Sequence, residues 1–386
     1  MAVVENVRFF TPHQGGRPTW AEVDLAALVE NYRTMNSFLK GETSRIVPVI
    51  KADAYGHGAI PVARALAAQG ATAFAVALVE EGVALRQGGI SGEILVLQGV
   101  WPGQEIESID HRLTATVYSP DGVRRLDRAS RDLAQAVPVH LKIDTGMARL
   151  GVSWETLGPV LEALRGAEHV RLRGTFSHLA CAEEEDPYFT LEQIRRFEHS
   201  LQCMRTSGFD PGEVHLANSS GLLYCDRLRT MSARPGITLY GYAPAPSRCP
   251  VRLKRSLSLK TRIGRVCTIE PGSTVGYNRR FKASRPTRAA TLPIGYADGY
   301  RHALTGRGRV IIRDRWAEVL GAVAMDMIVA DITDIPEAGE GDEVILLGSS
   351  PSCRIDAQDW ADLLGTIPYE ILCAISPRVP RVYAGL

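Results

Sequence analysis

The chain has 386 residues, 45% hydrophobic and 23% charged. This is the composition of an ordinary folded protein with room for two or three domains, which excludes a small stand-alone binding module. Its 44 basic and 43 acidic residues leave a formal charge of +1, so no whole-protein field gathers nucleic acid or anionic lipid.

The N-terminal MAVVENVRFFTPHQGG has no basic head, apolar run or small-residue cleavage site, and no apolar stretch reaches the ~18 residues of a membrane span. The chain therefore reads as cytoplasmic, with neither membrane nor nucleic acid as a partner. Cysteines at 181, 203, 225, 249, 267, 353 and 373 are odd in number and widely spaced, with no CxxC pair, which argues against a disulfide framework and a zinc site. No metal is expected.

The first strand-like run is TWAEVDL. From Arg45 to Gly241 short apolar runs then alternate with helical stretches: RIVPVIK, AFAVAL, EILVLQ, TATVYS, VPVHLKID, RLRGTFSH, EVHLAN and RTMSARPG are strands, and IPVARALAA, ETLGPVLEAL and TLEQIRRFEHSL are helices between them. Eight such strands predict an α/β fold, a (β/α)8 TIM-type barrel. TWAEVDL would be a ninth and is assigned outside it, with the C-terminal domain. From Pro250 the pattern turns all-β: LSLKTRIGRVCTIEPG, TRAATLPIG, RVIIRDRWAEVLGAV, MIVADITDI and DEVILLG end in Pro-Gly, Gly and Asp turns. A helix, IDAQDWADLLG, and a short tail, IPYEILCAISPRVPRVY, follow. The expected division is 1–20 with the C-terminal domain, 21–248 as the barrel and 249–386 as the mainly β domain.

Barrel enzymes build their sites at the C-terminal ends of strands. Here Lys51 ends VPVIK, Lys142 and Asp144 end VHLKID, His178 ends GTFSH, Asn218 ends VHLAN and Arg234 follows TMSA. Such residues also cap neighbouring helices, so scaffold competes with site. Lys51, after a mainly apolar run, is either a desolvated nucleophile or a lysine reaching into solvent. The glycines of the following ADAYGHG let backbone lie close to a cofactor.

VIKADAYGHG resembles the lysine motif of the alanine racemases, a family of fold-type III pyridoxal 5′-phosphate (PLP) enzymes. KIDTGMARLG, FSHLA, HLANSSG, RPGITLYG, VGYNRRF, LPIGYADGY, GAVAMDM and IPYEILCAISPRVPRVY match that family's blocks in order, nearly end to end. The resemblance implies L-alanine and D-alanine interconversion by two bases. Lys51 would be the Schiff-base lysine and act on the D-enantiomer; Tyr277, from the other subunit of a homodimer, would act on the L-enantiomer from the opposite face. PLP would delocalise the carbanion, and His178 and Arg234 would supply the surroundings that a tyrosine base needs.

The same resemblance sets Arg234 against the pyridine nitrogen and assigns the phosphate to Ser219, Gly236, Ile237, Tyr55 and Tyr369, with Asn218 beside it as an N-cap. Arg149 would contact the substrate carboxylate and the ring hydroxyl, the Met325 amide of the partner subunit would complete the carboxylate site, and a carbamylated Lys142 would hold Arg149. Tyr296, with Tyr277 and Tyr369, would crowd the methyl pocket, favouring alanine, with serine next. D-alanine for peptidoglycan or alanine breakdown is the implied role. KAD stands where KAN is commoner, and GAVAMD has alanine where many relatives have cysteine. A decarboxylase would need an acid beside its late cysteine, and Cys373 is followed by Ala374 and Ile375; a non-enzymatic PLP carrier would lack residues 250–386.

Overall fold

A computed structural model describes residues 16–385. The segment read for a leader, and most of the expected 1–20 segment, lie outside the described residues. Two compact units divide the chain: residues 16–27, 55–57 and 255–385 form one, and 28–54 and 58–254 the other.

The second unit is the barrel. Ala73–Val76, Glu93–Val96, Thr114–Val117, Val137–Asp144, Val170–Phe176 and Glu213–His215 are laddered in parallel in that order, with Val152–Ser153 beside Val137–Asp144. The remaining two expected strands are present as isolated parallel bridges, Ile46 with Ala233, Val49 with Ala75 and His215 with Ser232. These bridges close the ring. Both segments contain proline, which cannot donate to a ladder: Pro48 only accepts, from Ala75 N at 2.9 Å, and Pro235 only accepts, from Val49 N at 3.0 Å. Helices Ala59–Ala67, Gly158–Gly166 and Tyr188–Thr206 stand where their periodicity predicts.

The other unit holds a ten-stranded sheet running Arg265–Ile269, Thr287–Leu292, Ile328–Asp331, Arg315–Leu320, Arg309–Ile312, Glu343–Ser349, Leu257–Arg262, Thr19–Asp24 and Arg381–Ala384, with Arg354–Ile355 beside Glu343–Ser349. Thr19–Asp24 is thus a strand of this sheet, antiparallel to Leu257–Arg262 and parallel to Arg381–Ala384. The run RVIIRDRWAEVLGAV folds back on itself: Arg313 and Asp314 take φ of 46° and 62°, the left-handed pair of a tight hairpin between Arg309–Ile312 and Arg315–Leu320. The sequence reading left IPYEILCAISPRVPRVY as a tail, whereas it forms the helix Pro368–Cys373 and the edge strand Arg381–Ala384. Its Pro-Arg-Val-Pro segment obscures a four-residue strand that gains its partner only from residues more than three hundred positions earlier.

Candidate active site

In the barrel unit, Lys51, Lys142, Arg149, His178 and Arg234 line one cavity of about 250 Å³, with Phe176 and Trp101. Its lining includes four basic side chains and no acidic one. Lys142 and Arg234 are buried, and both lie over the Phe176 ring, 5.5 and 4.9 Å from its centroid. Burial, followed by Arg234, Arg149 and Lys51, pushes the Lys142 pKa down to about 8, with Asp144 opposing. Burial draws the Arg234 pKa down to about 9, which leaves the guanidinium charged at neutral pH. His178 is held well below the ordinary histidine range by burial first, then by Arg234, Arg149, Lys142 and Lys51, and is therefore neutral.

Lys51 begins an unusual segment. The helical turn Lys51–Gly56 is left-handed, with φ of 53°, 52°, 53° and 53° at Ala52, Asp53, Ala54 and Tyr55. For residues with a Cβ this conformation costs about 1–2 kcal/mol each, so the surroundings must hold it. Glu81 does so at the start: one carboxylate oxygen accepts from Ala52 N at 2.6 Å, and the other accepts from Ala77 N and Leu78 N at 2.7 and 3.1 Å. Asp53 does so at the end, accepting from Ala59 N at 2.7 Å. The commoner asparagine offers the same side-chain oxygen, which explains why aspartate is accommodated at this position.

Arg234 is fixed by four contacts. Its NH1 donates to His215 Nδ1 at 2.6 Å and to His215 O at 2.9 Å; its NH2 donates to Ser177 O at 2.6 Å and approaches His178 Nδ1 at 3.3 Å. Gln193, fully buried on the helix Tyr188–Thr206, supports the same loop by donating to His178 O at 3.0 Å and accepting from Ala180 N at 2.9 Å. The scaffold reading holds for Asp144, which turns back to accept from Gly146 N and Ala148 N. It holds also for Asn218, the N-cap of the helix Ser219–Tyr224, accepting from Gly221 N at 2.9 Å. Ser219 Oγ accepts from Gly236 N at 3.0 Å and lies 3.2 Å from Thr238 Oγ1, which ties that helix start to the 3-10 turn Ile237–Tyr240.

The remaining expected site residues belong to the β unit. Tyr277, Tyr296 and Met325 line an open cavity of about 1040 Å³ together with Arg301, His302 and Glu370. Tyr277 is 72% exposed at the tip of the ribbon Thr274–Val275 and Phe281–Lys282, and Met325 is 51% exposed. The turn carrying Tyr296 is set by Asp298, wholly buried, which accepts from Gly295 N at 3.0 Å and from both terminal nitrogens of Arg17 at 2.9 and 2.8 Å. Gly295 is needed there, because a Cβ would come within 2.3 Å of Met325 O. Tyr55 and Tyr369 form a ring pair with centroids 5.9 Å apart. Glu81, Gln193, His215 and Asp298 escaped the sequence reading. Glu81 alone had a local signal, a carboxylate at the third position of the helix Val79–Gln87.

A parallel barrel whose strand ends gather a lysine on a strained turn and three further basic groups around one cavity is a barrel enzyme with a site for small anions. Its sequence narrows the class. Residues 23–244 match the model of the alanine racemase N-terminal domain and 256–383 that of the C-terminal domain. The chain is 44% identical to an alanine racemase of Geobacter sulfurreducens over 95% of this chain and 97% of the relative. An alanine racemase structure from Clostridium difficile 630 superposes with a TM-score of 0.91 at 35% identity, covering 96% of this chain and 97% of the other. One from Bartonella henselae, described with covalently bound pyridoxal phosphate, superposes at 0.84 and 28% identity over 96% and 100%. The chain belongs to the alanine racemase family, and with it to the amino-acid racemases. Among the described residues no helix is long and apolar enough to cross a membrane.

Proposed function

We propose that the chain interconverts L-alanine and D-alanine with PLP as cofactor, using Lys51 and Tyr277 of the partner subunit as the two bases in a homodimer. The observation that carries the reading is the barrel cavity, where four basic side chains meet with no acid among the lining residues. Like charges held at the mouth of a low-dielectric barrel are costly unless an anion joins them. PLP and an amino acid bring a phosphate and a carboxylate, so the residues present fit the group. When bound, PLP supplies the electron sink that lets the Cα proton leave.

The chain's own residues do the rest. Lys51, held by its turn, would be the amine that holds the cofactor through its aldehyde, and would move a proton at one face of Cα. The exposed Tyr277 hydroxyl serves the opposite face of a neighbouring copy. Arg234 would face the ring nitrogen and, being able only to donate, would favour its unprotonated form, a weaker electron sink that disfavours transamination. Neutral His178 stands beside Arg234 as an acceptor. Ser219, the amides of Gly236 and Ile237, and the hydroxyls of Tyr55 and Tyr369 would hold the phosphate, with Asn218 fixing the helix start.

Arg149 and the Met325 amide of the partner subunit would take the substrate carboxylate, while Tyr296 and Tyr369 would narrow the space for the side chain. A Lys142 pKa near 8 leaves a usable fraction of neutral amine, which is the form that combines with carbon dioxide. Its carbamate would offset the positive cluster and hold Arg149. The product would supply D-alanine for peptidoglycan, or the reaction would open alanine breakdown, in the cytoplasm. The test is racemisation of L-alanine in deuterated water, with the absorbance of bound PLP recorded. Loss of optical rotation with deuterium at Cα is the expected result, and a PLP-bound protein that leaves L-alanine untouched would overturn the proposal.

A further inference from the structure

Behind Arg234 lies a chain of polar groups that the proposed chemistry does not use. His215 and His140 are 0% and 2% exposed, and His215 Nε2 lies 2.8 Å from His140 Nδ1. His140 Nε2 lies 3.4 Å from Glu93 Oε1. Glu93 Oε2 accepts from Arg45 NH2 at 2.5 Å, and Arg45 also pairs with Glu213 at 2.8 and 2.6 Å. Glu93, His140 and Glu213 bring their ligand atoms within 4.8 Å of one another, as a metal site would. The Arg45 guanidinium already provides the cation there.

The direction of every proton follows from Arg234, because a guanidinium only donates. His215 Nδ1 must therefore accept, which puts its proton on Nε2. His140 Nδ1 must then accept in turn, which puts its proton on Nε2, toward the Glu93 carboxylate. Burial holds His215 well below the ordinary histidine range, as this neutral form requires. Packing holds the rings: Phe176 stacks on His215 at 4.9 Å and 10°, and His140 lies against Gly174, where a Cβ would come within 2.5 Å of its ring.

We propose that Glu93 and His140 are positioning residues that fix, through His215, the orientation and hydrogen bonding of Arg234, and so govern reaction specificity from the far end of the barrel. The effect on chemistry rests on the reading that Arg234 meets the ring nitrogen of PLP. Glu93→Gln tests the relay sharply. Arg45 and His140 face different oxygens of Glu93, only one of which remains an acceptor in glutamine, and Arg45, being charged, takes it. The amide NH₂ then faces His140 Nε2 and forces it to accept. His140 and His215 must both move their protons to Nδ1, and the new His215 donor meets Arg234 NH1 at 2.6 Å.

The experiment is ¹⁵N NMR of the histidine side chains in cofactor-free and PLP-loaded protein, wild type and Glu93→Gln, with kcat, KM and the transamination-to-racemisation ratio measured on the same samples. Wild type should show both histidines neutral and protonated on Nε2. The variant should show them protonated on Nδ1, with the bound PLP absorbance shifted, kcat down about 10- to 100-fold and the transamination ratio raised. A wild-type histidine that is charged or protonated on Nδ1 would overturn the relay, whatever the variant's folding. Inverted histidines in Glu93→Gln with an unchanged PLP spectrum and ratio would overturn it as well. Failure of wild type to bind PLP would defeat the functional reading instead, while the cofactor-free tautomers still decide the relay.

Discussion

The two cavities are built in opposite ways. In the barrel unit the cavity groups are held in networks: buried Arg234 has four contacts, the turn of half-buried Lys51 is pinned by Glu81 and Asp53, and Lys142 is desolvated. In the β unit Tyr277 and Met325 stand outward on short turns, and the cavity they line is open. A preorganised half and a presented half suit a site completed by a second copy of the chain, because a base offered to solvent does nothing until another surface desolvates it.

The barrel half can be broken most severely at Lys51. Lys51→Ala is expected to remove racemisation by more than about 10³-fold and abolish the covalent PLP absorbance, with circular dichroism unchanged. The presented half breaks by a different signature. Tyr277→Phe should retain that absorbance and lower kcat by about 10²- to 10⁴-fold, the loss appearing in deuterium exchange from L-alanine more than from D-alanine.

Lys142 sharpens the comparison through stability. Its folded pKa near 8 lies below the ordinary 10.5, so between those values the unfolded chain binds more protons and stability rises with pH. In cofactor-free protein kept free of carbon dioxide, so that Lys142 is a plain amine, Lys142→Met should therefore raise Tm at pH 7, and the gap to wild type should close as the pH passes from 8 to 10.5, followed by differential scanning fluorimetry. The smallest effects are at Asp53. Asp53→Asn keeps the acceptor for Ala59 N and should lie within about 0.5 kcal/mol of wild type, whereas Asp53→Ala should cost about 0.5–2 kcal/mol in urea unfolding.

Legibility in the sequence divides along similar lines. Period and turn residues located the barrel segments and the β runs, because those patterns are local. They could not show that the first and last barrel strands shrink to bridges, which depends on where Pro48 and Pro235 fall against their neighbours. The left-handed turn was hidden because Ala52, Asp53, Ala54 and Tyr55 are not glycines; its support comes from Glu81, some thirty residues away. His140 and His215 stood in predicted strands, yet only the parallel pairing of Val137–Asp144 with Val170–Phe176 and of that strand with Glu213–His215 brings them together. Family motifs named Lys51, Arg234 and Tyr277, and the residues that hold them were invisible until the chain was folded.

The central claim, that one chain's barrel works with another chain's β unit, is tested most directly by co-expressing Lys51→Ala and Tyr277→Phe chains carrying different tags and isolating the mixed dimer. Each mixed dimer would contain one doubly damaged site and one intact site, so activity should return to about half that of wild-type dimer, far above either variant alone. A mixed dimer as inactive as its parents would show that Lys51 and Tyr277 act within a single chain, contradicting the account.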